Sequence, residues 1–534
     1  MTKPFGLSGA LLLVILGGGC AVSNVPTPRG AHEITTVLEH MKEFTADDNP
    51  IDDPGSPGEV KAIQYAAAYM KSLGLQTTVQ SVPLTQIVPT SVQIQVRGPK
   101  GGVINKDSSS SQDFIVWPGQ QIDSVSVDAP VVFAGYGIVA PEFTRDDYKT
   151  VSVKGKIVVV LEGSPHTGER DDLGDMGETY YGTRYYKFTE AARHGAVAVL
   201  IVHTDTTTPW EDIRAEQSGA VVTIDKPATA NDDPKAQVEG WLSAPAAERL
   251  FTFVGVDHQS MYQLARELAF QPIDIPGLTV SFNISSRKSR AVSQDVIAVL
   301  PGQSSEYIVL AGRWNRIDPA AWAHLLTPKR IVDDDGSGAA TVMEAAAQIV
   351  RSGRKPVRTI VFMVTTALKP GIVGLRYYID HPPAQLPVNR LAALLFLDQA
   401  DMKGVNQRVG KIGDESDGAL SQITREAAIE RGRLVEIDPS TEKRFYYKFS
   451  QNTLADAGVR VLYLSTKPED AGKDRVLRQV ERQDDVVGVP NAPSPIAIAT
   501  SADPTRDAEL ISTITIRVAN ATNWPPRMEP KPTP

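Results

Sequence analysis

Tyr307-Ile308-Val309-Leu310-Ala311-Gly312-Arg313-Trp314-Asn315-Arg316 and Val332-Asp333-Asp334-Asp335-Gly336-Ser337-Gly338 are the two stretches whose reading decides the fold. The first is an apolar run, strand-like over 307–310, that turns polar at its end. The second is an acidic loop, punctuated by glycine, that opens a helix over 339–350. Two further apolar runs, 359–364 and 394–397, also read as strands. One leads into Thr365-Thr366-Ala367-Leu368-Lys369-Pro370-Gly371-Ile372-Val373-Gly374, and the other ends in Asp398. Between 293 and 520 such runs alternate with helical segments, the pattern of a mostly parallel sheet covered by helices. Ligands of such sheets sit at the carboxyl ends of the strands, which is where these polar residues fall.

This frame resembles the co-catalytic di-zinc aminopeptidase superfamily, which includes bacterial leucyl aminopeptidases, glutamate carboxypeptidase and the transferrin receptor ectodomain. In that family the first strand ends in His-aromatic-Asp, the loop supplies a bridging Asp, the second strand ends in Glu-Glu and the third in Asp. The resemblance implies that Asp334 matches the bridging zinc ligand and Asp398 a terminal one. It also implies losses. Arg313 stands in the place of a His ligand and Asn315 in that of its Asp partner. Leu368 takes the general-base position, and Lys369 that of a Glu ligand. A late His ligand corresponds most closely to Arg478, within Val476-Leu477-Arg478-Gln479-Val480, and the family's Ser-Asp-His string to Phe449-Ser450-Gln451. Asn315 and Asp335 fall beside the ligand positions, where side chains orient ligands.

Two neighbouring zinc ions need about five His and carboxylate ligands, and a further Glu moves the proton of the metal-bound water. Arg offers no lone pair and Lys is normally cationic, so Arg313 and Lys369 repel zinc from a pocket holding Asp334 and Asp398. Facing those two carboxylates, they form a neutral cluster that needs no metal. A plainer alternative is that Asp334 only caps the following helix and Asp398 only ends a strand. Replacement ligands near the site in sequence are His324, His381, Asp333 and Asp335, although a lone His is more often a surface or packing residue. The other six histidines are scattered, no Gly-x-Ser-x-Gly elbow is present, and Cys20 is the only cysteine.

The N-terminus has the layout of a secretory signal: Lys3, then Leu11-Leu12-Leu13-Val14-Ile15-Leu16, then Gly17-Gly18-Gly19-Cys20. The setting of Cys20 resembles a bacterial lipobox, with Gly17 where Leu is usual. An ordinary cleaved signal with an incidental cysteine is the alternative. The expected organisation is a lipoprotein-type signal at 1–20, a tether at 21–30 and the N-terminal part of a peptidase-like domain at 31–107. Residues 108–283 follow as an insert, 284–523 as the C-terminal part of the peptidase-like domain, and 524–534 as a Pro-rich flexible tail. Ser56-Pro57-Gly58-Glu59 marks a helix start with a capping-box Glu. The insert's order of short strands and loops resembles a protease-associated domain, so the expected class is α/β with an inserted β-rich unit. Gly135-x-Gly137-x-x-Ala140 matches a dinucleotide fingerprint formally, but Pro141 points to a turn where that motif needs a helix.

With 54 basic and 63 acidic residues and no basic run, nucleic acid is excluded as an expected partner. The expected partners are peptides or an envelope protein, with the membrane reached through a lipid anchor at Cys20. The location expected is the cell envelope, as an outer-membrane lipoprotein or in the periplasm. Two functions remain open. One is a catalytically inactive pseudopeptidase in binding or scaffolding, with no cofactor. The other is an active zinc-dependent aminopeptidase with unusual ligands.

Overall fold

The computed structural model describes residues 36–44, 54–107, 112–165, 180–204, 209–217, 221–225, 233–314, 336–366, 373–397, 400, 408–412, 418–436, 459–465 and 505–522. Cys20 with the expected signal and tether, and the expected Pro-rich tail, lie outside the described residues. The chain opens with α1 (Val37–Phe44) and α2 (Pro57–Ser72), then β1 (Gln76–Arg97) and β2 (Val103–Asp107). α2 starts as its sequence predicts: Ser56 Oγ accepts from the Glu59 amide at 3.2 Å, with Pro57 in the first turn. Its Ala62, Ala66 and Met70 face the core, and Gly74 follows the helix at φ +80°.

The middle of the chain holds β3 (Phe114–Pro118), β4 (Ser124–Phe133), β5 (Val139–Ala140), β6 (Arg145–Asp146), β7 (Ile157–Leu161), α3 (Arg184–Arg193), β8 (Ala198–His203), α4 (Trp210–Gln217), β9 (Val221–Ile224), β10 (Val238–Ser243), α5 (Ala244–Phe253) and α6 (His258–Arg266). The last part runs β11 (Ile273–Leu300), β12 (Tyr307–Trp314), α7 (Ser337–Arg351), β13 (Thr359–Thr366), α8 (Val373–Asp380), β14 (Leu391–Leu397), β15 (Arg408–Ile412), α9 (Ala419–Ile429), β16 (Leu434–Glu436), β17 (Arg460–Ser465) and α10 (Thr505–Asn520).

Among the described residues every strand but β5 and β6 joins one sheet. Its main path is β16-β15-β17-β14-β12-β13-β11-β4-β7-β8-β10-β3, with β1 branching from β11. β13, β12, β14 and β17 are mutually parallel, as their continuous apolar runs require. β11 joins β13 antiparallel, which makes the whole a mixed sheet. One core packs α1, α2, α7 and α10 on one face of these strands. A second holds Leu375 and Tyr378 of α8 against Val309, Val361 and Phe396 on the other face.

The middle is more helical than its strand-and-loop texture suggests, since β4, β7, β8 and β10 run parallel with α3 and α4 between them. Its two cores draw on residues 92–284. The rejected glycine fingerprint is a turn: Gly135 and Gly137 take φ +54° and +65°, and a single 3-10 turn, Pro141–Phe143, follows. The Tyr136 carbonyl in that turn accepts from Lys187 Nζ at 2.6 Å. Beside it Arg145 and Asp147 are both buried and ion-paired at 2.9 Å. No helix among the described residues is long and apolar enough to cross a membrane.

Candidate functional site

The carboxyl ends of β12, β13 and β14 lie side by side. Arg313 is opposite Thr365 and Trp314 opposite Thr366, while Gly312 is opposite Leu397 on the other flank. α7 begins directly against this edge. A Cβ on Gly312 would lie 2.6 Å from the Gly338 carbonyl oxygen, so only glycine lets the helix approach β12 this closely. The Ala400 amide donates to Ser337 Oγ at 2.9 Å, which ties the segment after β14 to the first turn of α7. The described parts of the four sequence-predicted segments therefore converge: the end of β12, the start of α7 and the ends of β13 and β14.

Of the predicted site residues, Arg313 is described. It sits half-buried at the end of β12, next to the buried Trp314. Asn315, Asp334, Asp335, Leu368, Lys369, Asp398 and Arg478 lie outside the described residues, as do His324 and Asp333. His381 is exposed just beyond the carboxyl end of α8, the opposite end from Val373. There its ring stacks on Tyr377 at 4.3 Å and its carbonyl accepts from Gln80 at 2.7 Å. That position gives it a packing role on the surface. Among the described residues no three His, Cys, Asp or Glu side chains group closely enough to hold a metal ion.

Asp295 is the site residue that the sequence reading passes over. It lies on β11, antiparallel to β13, one residue before Val296 pairs with Val364. Its Oδ1 accepts from the Thr366 amide at 2.8 Å and from the Thr365 hydroxyl at 3.1 Å, while its fully buried Oδ2 has no hydrogen-bond partner among the described residues. α8 closes over it: a Cβ on Gly374 would lie 2.2 Å from Asp295 Oδ1 and 2.5 Å from Thr365 Oγ1. Burial pushes the Asp295 carboxyl up to about 7. The bonds from Thr366 and Thr365 oppose that rise, and the charge of Glu59 adds to it. Glu59, on α2, is itself buried and accepts from the Ser293 hydroxyl and the Gly55 amide. Burial raises its pKa as well, against those bonds. A carboxyl is thus built into the support of β13, directly before the segment that carries Leu368 and Lys369. The available signal was an Asp inside a strand-forming run, since Asp is almost never fully buried without a specific partner.

Residues 295–480 match the model of Peptidase family M28, and Asp295 is the first residue of the match. Leupeptin-inactivating enzyme 1 of Streptomyces exfoliatus is 29% identical over 114 residues, which are 21% of this chain and 24% of that protein. The chain therefore spans about a quarter of the length of this curated relative. Among solved structures, an aminopeptidase from Aneurinibacillus sp. strain AM-1 superposes with a TM-score of 0.51 at 14% identity, over 96% of this chain and 100% of that one. BSAP, a zinc aminopeptidase from Bacillus subtilis, gives 0.45 at 15% identity over 92% and 97%. At such identities the likeness is one of fold, and the Aneurinibacillus aminopeptidase shares it along the whole chain. Residues 295–480 carry a Peptidase family M28 domain, of the co-catalytic zinc aminopeptidase superfamily.

Proposed function

We propose that this chain is an exported, lipid-anchored member of the cell envelope that uses an aminopeptidase fold to bind or scaffold rather than to cleave. The observation that carries the reading is Arg313 at the carboxyl end of β12, the position at which the family places a zinc-binding His. A guanidinium donates hydrogen bonds, has no lone pair for a metal and keeps its charge. It does not fit a zinc ion. Its neighbour in register is Thr365, whose neutral hydroxyl is already bonded to Asp295, and the next residue, Thr366, binds the same carboxylate through its amide. The sequence adds Leu368 at the general-base position, Lys369 at a Glu position and Arg478 near the late His. The natural ligands of such a pocket are peptides or a partner protein in the envelope.

The expected result is that protein purified with zinc present contains no stoichiometric metal and does not turn over a panel of aminoacyl-nitroanilides supplied with zinc, cobalt or manganese. Chelator-sensitive turnover abolished by Asp334→Ala would instead establish the second reading, an active zinc-dependent aminopeptidase with unusual ligands. That reading draws support from the similarity to a leupeptin-inactivating enzyme. The anchor has its own test. Cells fed a labelled fatty acid should label the wild-type chain and leave Cys20→Ser unlabelled. An unlabelled wild type whose mature chain starts elsewhere would remove the lipoprotein assignment without touching the peptidase site.

A further inference from the structure

The first turn of α8 is held by two different parts of the chain. Gly374 leaves room for Asp295 and Thr365, where any Cβ would collide with both side chains. Val373 joins Val82 and Leu84 of β1 and Val222 and Ile224 of β9 in a small core of their own, with Tyr377 packed against it. β9 comes from the middle of the chain, outside the Peptidase family M28 match at residues 295–480. It reaches this place by pairing antiparallel with β1, Ile224 opposite Leu84 and Val221 opposite Ile87. Its alternation turns Val222 and Ile224 inward.

β9 is four residues long, and polar bonds add to its pairing. The Asp225 amide donates to the Pro83 carbonyl at 2.9 Å. The Asp225 carboxylate accepts from the hydroxyl of buried Thr85 at 3.1 Å and pairs with exposed Arg290 at 3.0 Å. Gln121 Nε2, from the segment between β3 and β4, donates to Thr223 Oγ1 at 2.7 Å. β9 is thus secured to β1 and to a neighbouring loop, and Val373 is packed on β9. The consequence is for residues 367–372, which carry Leu368 and Lys369. Of the two described residues that bound them, Thr366 is held by Asp295 of β11 and Val373 by the core that β9 completes. The placement of side chains on a span this short depends on where both of its ends are held.

We propose that β9 is a positioning strut for the peptidase-like site: through Val222 and Ile224, the middle of the chain fixes one end of the segment that carries Leu368 and Lys369. The inference holds for a pocket that binds and for one that cleaves. Hydrogen–deuterium exchange of the purified full chain tests it. In Val222→Ala/Ile224→Ala, exchange over α8 is expected to rise severalfold, with α7 and β14 at wild-type rates. Val222→Ile/Ile224→Val conserves the apolar volume and should match the wild type. Asp225→Ala leaves the apolar core whole and should raise α8 exchange by a smaller factor. Alkylation of Lys369→Cys in a Cys20→Ser background reports on the segment itself, and its rate should change severalfold when Val222→Ala/Ile224→Ala is added. Unchanged exchange over α8 would overturn the proposal, as would an equal rise in α7 and β14, which would mean general loosening. An unchanged alkylation rate would also overturn it, since α8 would then respond without the segment. None of these readings involves zinc or turnover, so they are separate from the tests of metal content and hydrolysis.

Discussion

Asp147→Asn should lower the melting temperature sharply, because it leaves the Arg145 guanidinium charged and without its counter-ion in the interior. The pair is 2.9 Å apart, with both side chains at most 1% exposed. Asp147 also accepts from the Ile138 amide at 3.0 Å and from Arg145 Nη2 at 3.2 Å. Burial raises the Asp147 carboxyl above its usual range and the Arg145 charge pulls it back, so the acid depends on its partner to stay ionised. Removing one member of such a pair costs about 3–5 kcal/mol, far more than the pair itself contributes to stability. Arg145→Met/Asp147→Leu should therefore lose less than the sum of the two single changes, although Arg145 also donates to the Ala265 carbonyl at 2.6 Å. Thermal unfolding of the three variants checks this. Strict additivity would show that the charges do not depend on one another.

This pair illustrates what could be read from the chain and what could not. The α2 start was legible because its signal is local: Ser56, Pro57 and Glu59 act within one turn. The strands were legible as apolar runs, but their ends were not. β12 continues to Trp314 and β13 to Thr366, because polar residues at the strand ends still pair in register with each other. The turn at Gly135 to Ala140 was legible through Pro141, whereas the ions beneath it were not, since Arg145 and Lys187 reach it from separate elements. For the site, the convergence of strand ends followed from the parallel pattern, and Arg313 is the penultimate residue of β12. Asp295 escaped because its partner is the amide of a residue 71 positions later, and no periodicity encodes such a pairing.

Asp295→Asn should make the protein more stable at pH 8 than the wild type, with the gap closing toward pH 4. The sign follows from proton counts. The carboxyl titrates at about 7 in the folded chain against 3.8 as its ordinary value. Between those pH values the folded state holds a proton that the unfolded state releases, so stability falls as pH rises through that window. Below it both states are protonated and the effect is absent; above 7 it is fully present. A shift of about three units corresponds to roughly 4 kcal/mol as an order of magnitude. Asn keeps an oxygen for the Thr366 amide and the Thr365 hydroxyl, and it places a neutral amide where Oδ2 has no partner among the described residues. Glu59→Gln should pull the upper edge of the window down, because the Glu59 charge contributes to the rise. Thermal melts of the wild type and both variants from pH 4 to pH 8 provide the measurement. A difference between wild type and Asp295→Asn that is constant across this range would mean that Asp295 is ionised throughout. The consequence for the site follows from position: Asp295 holds the last two residues of β13, so ionisation there loads the strand end from which Leu368 and Lys369 continue.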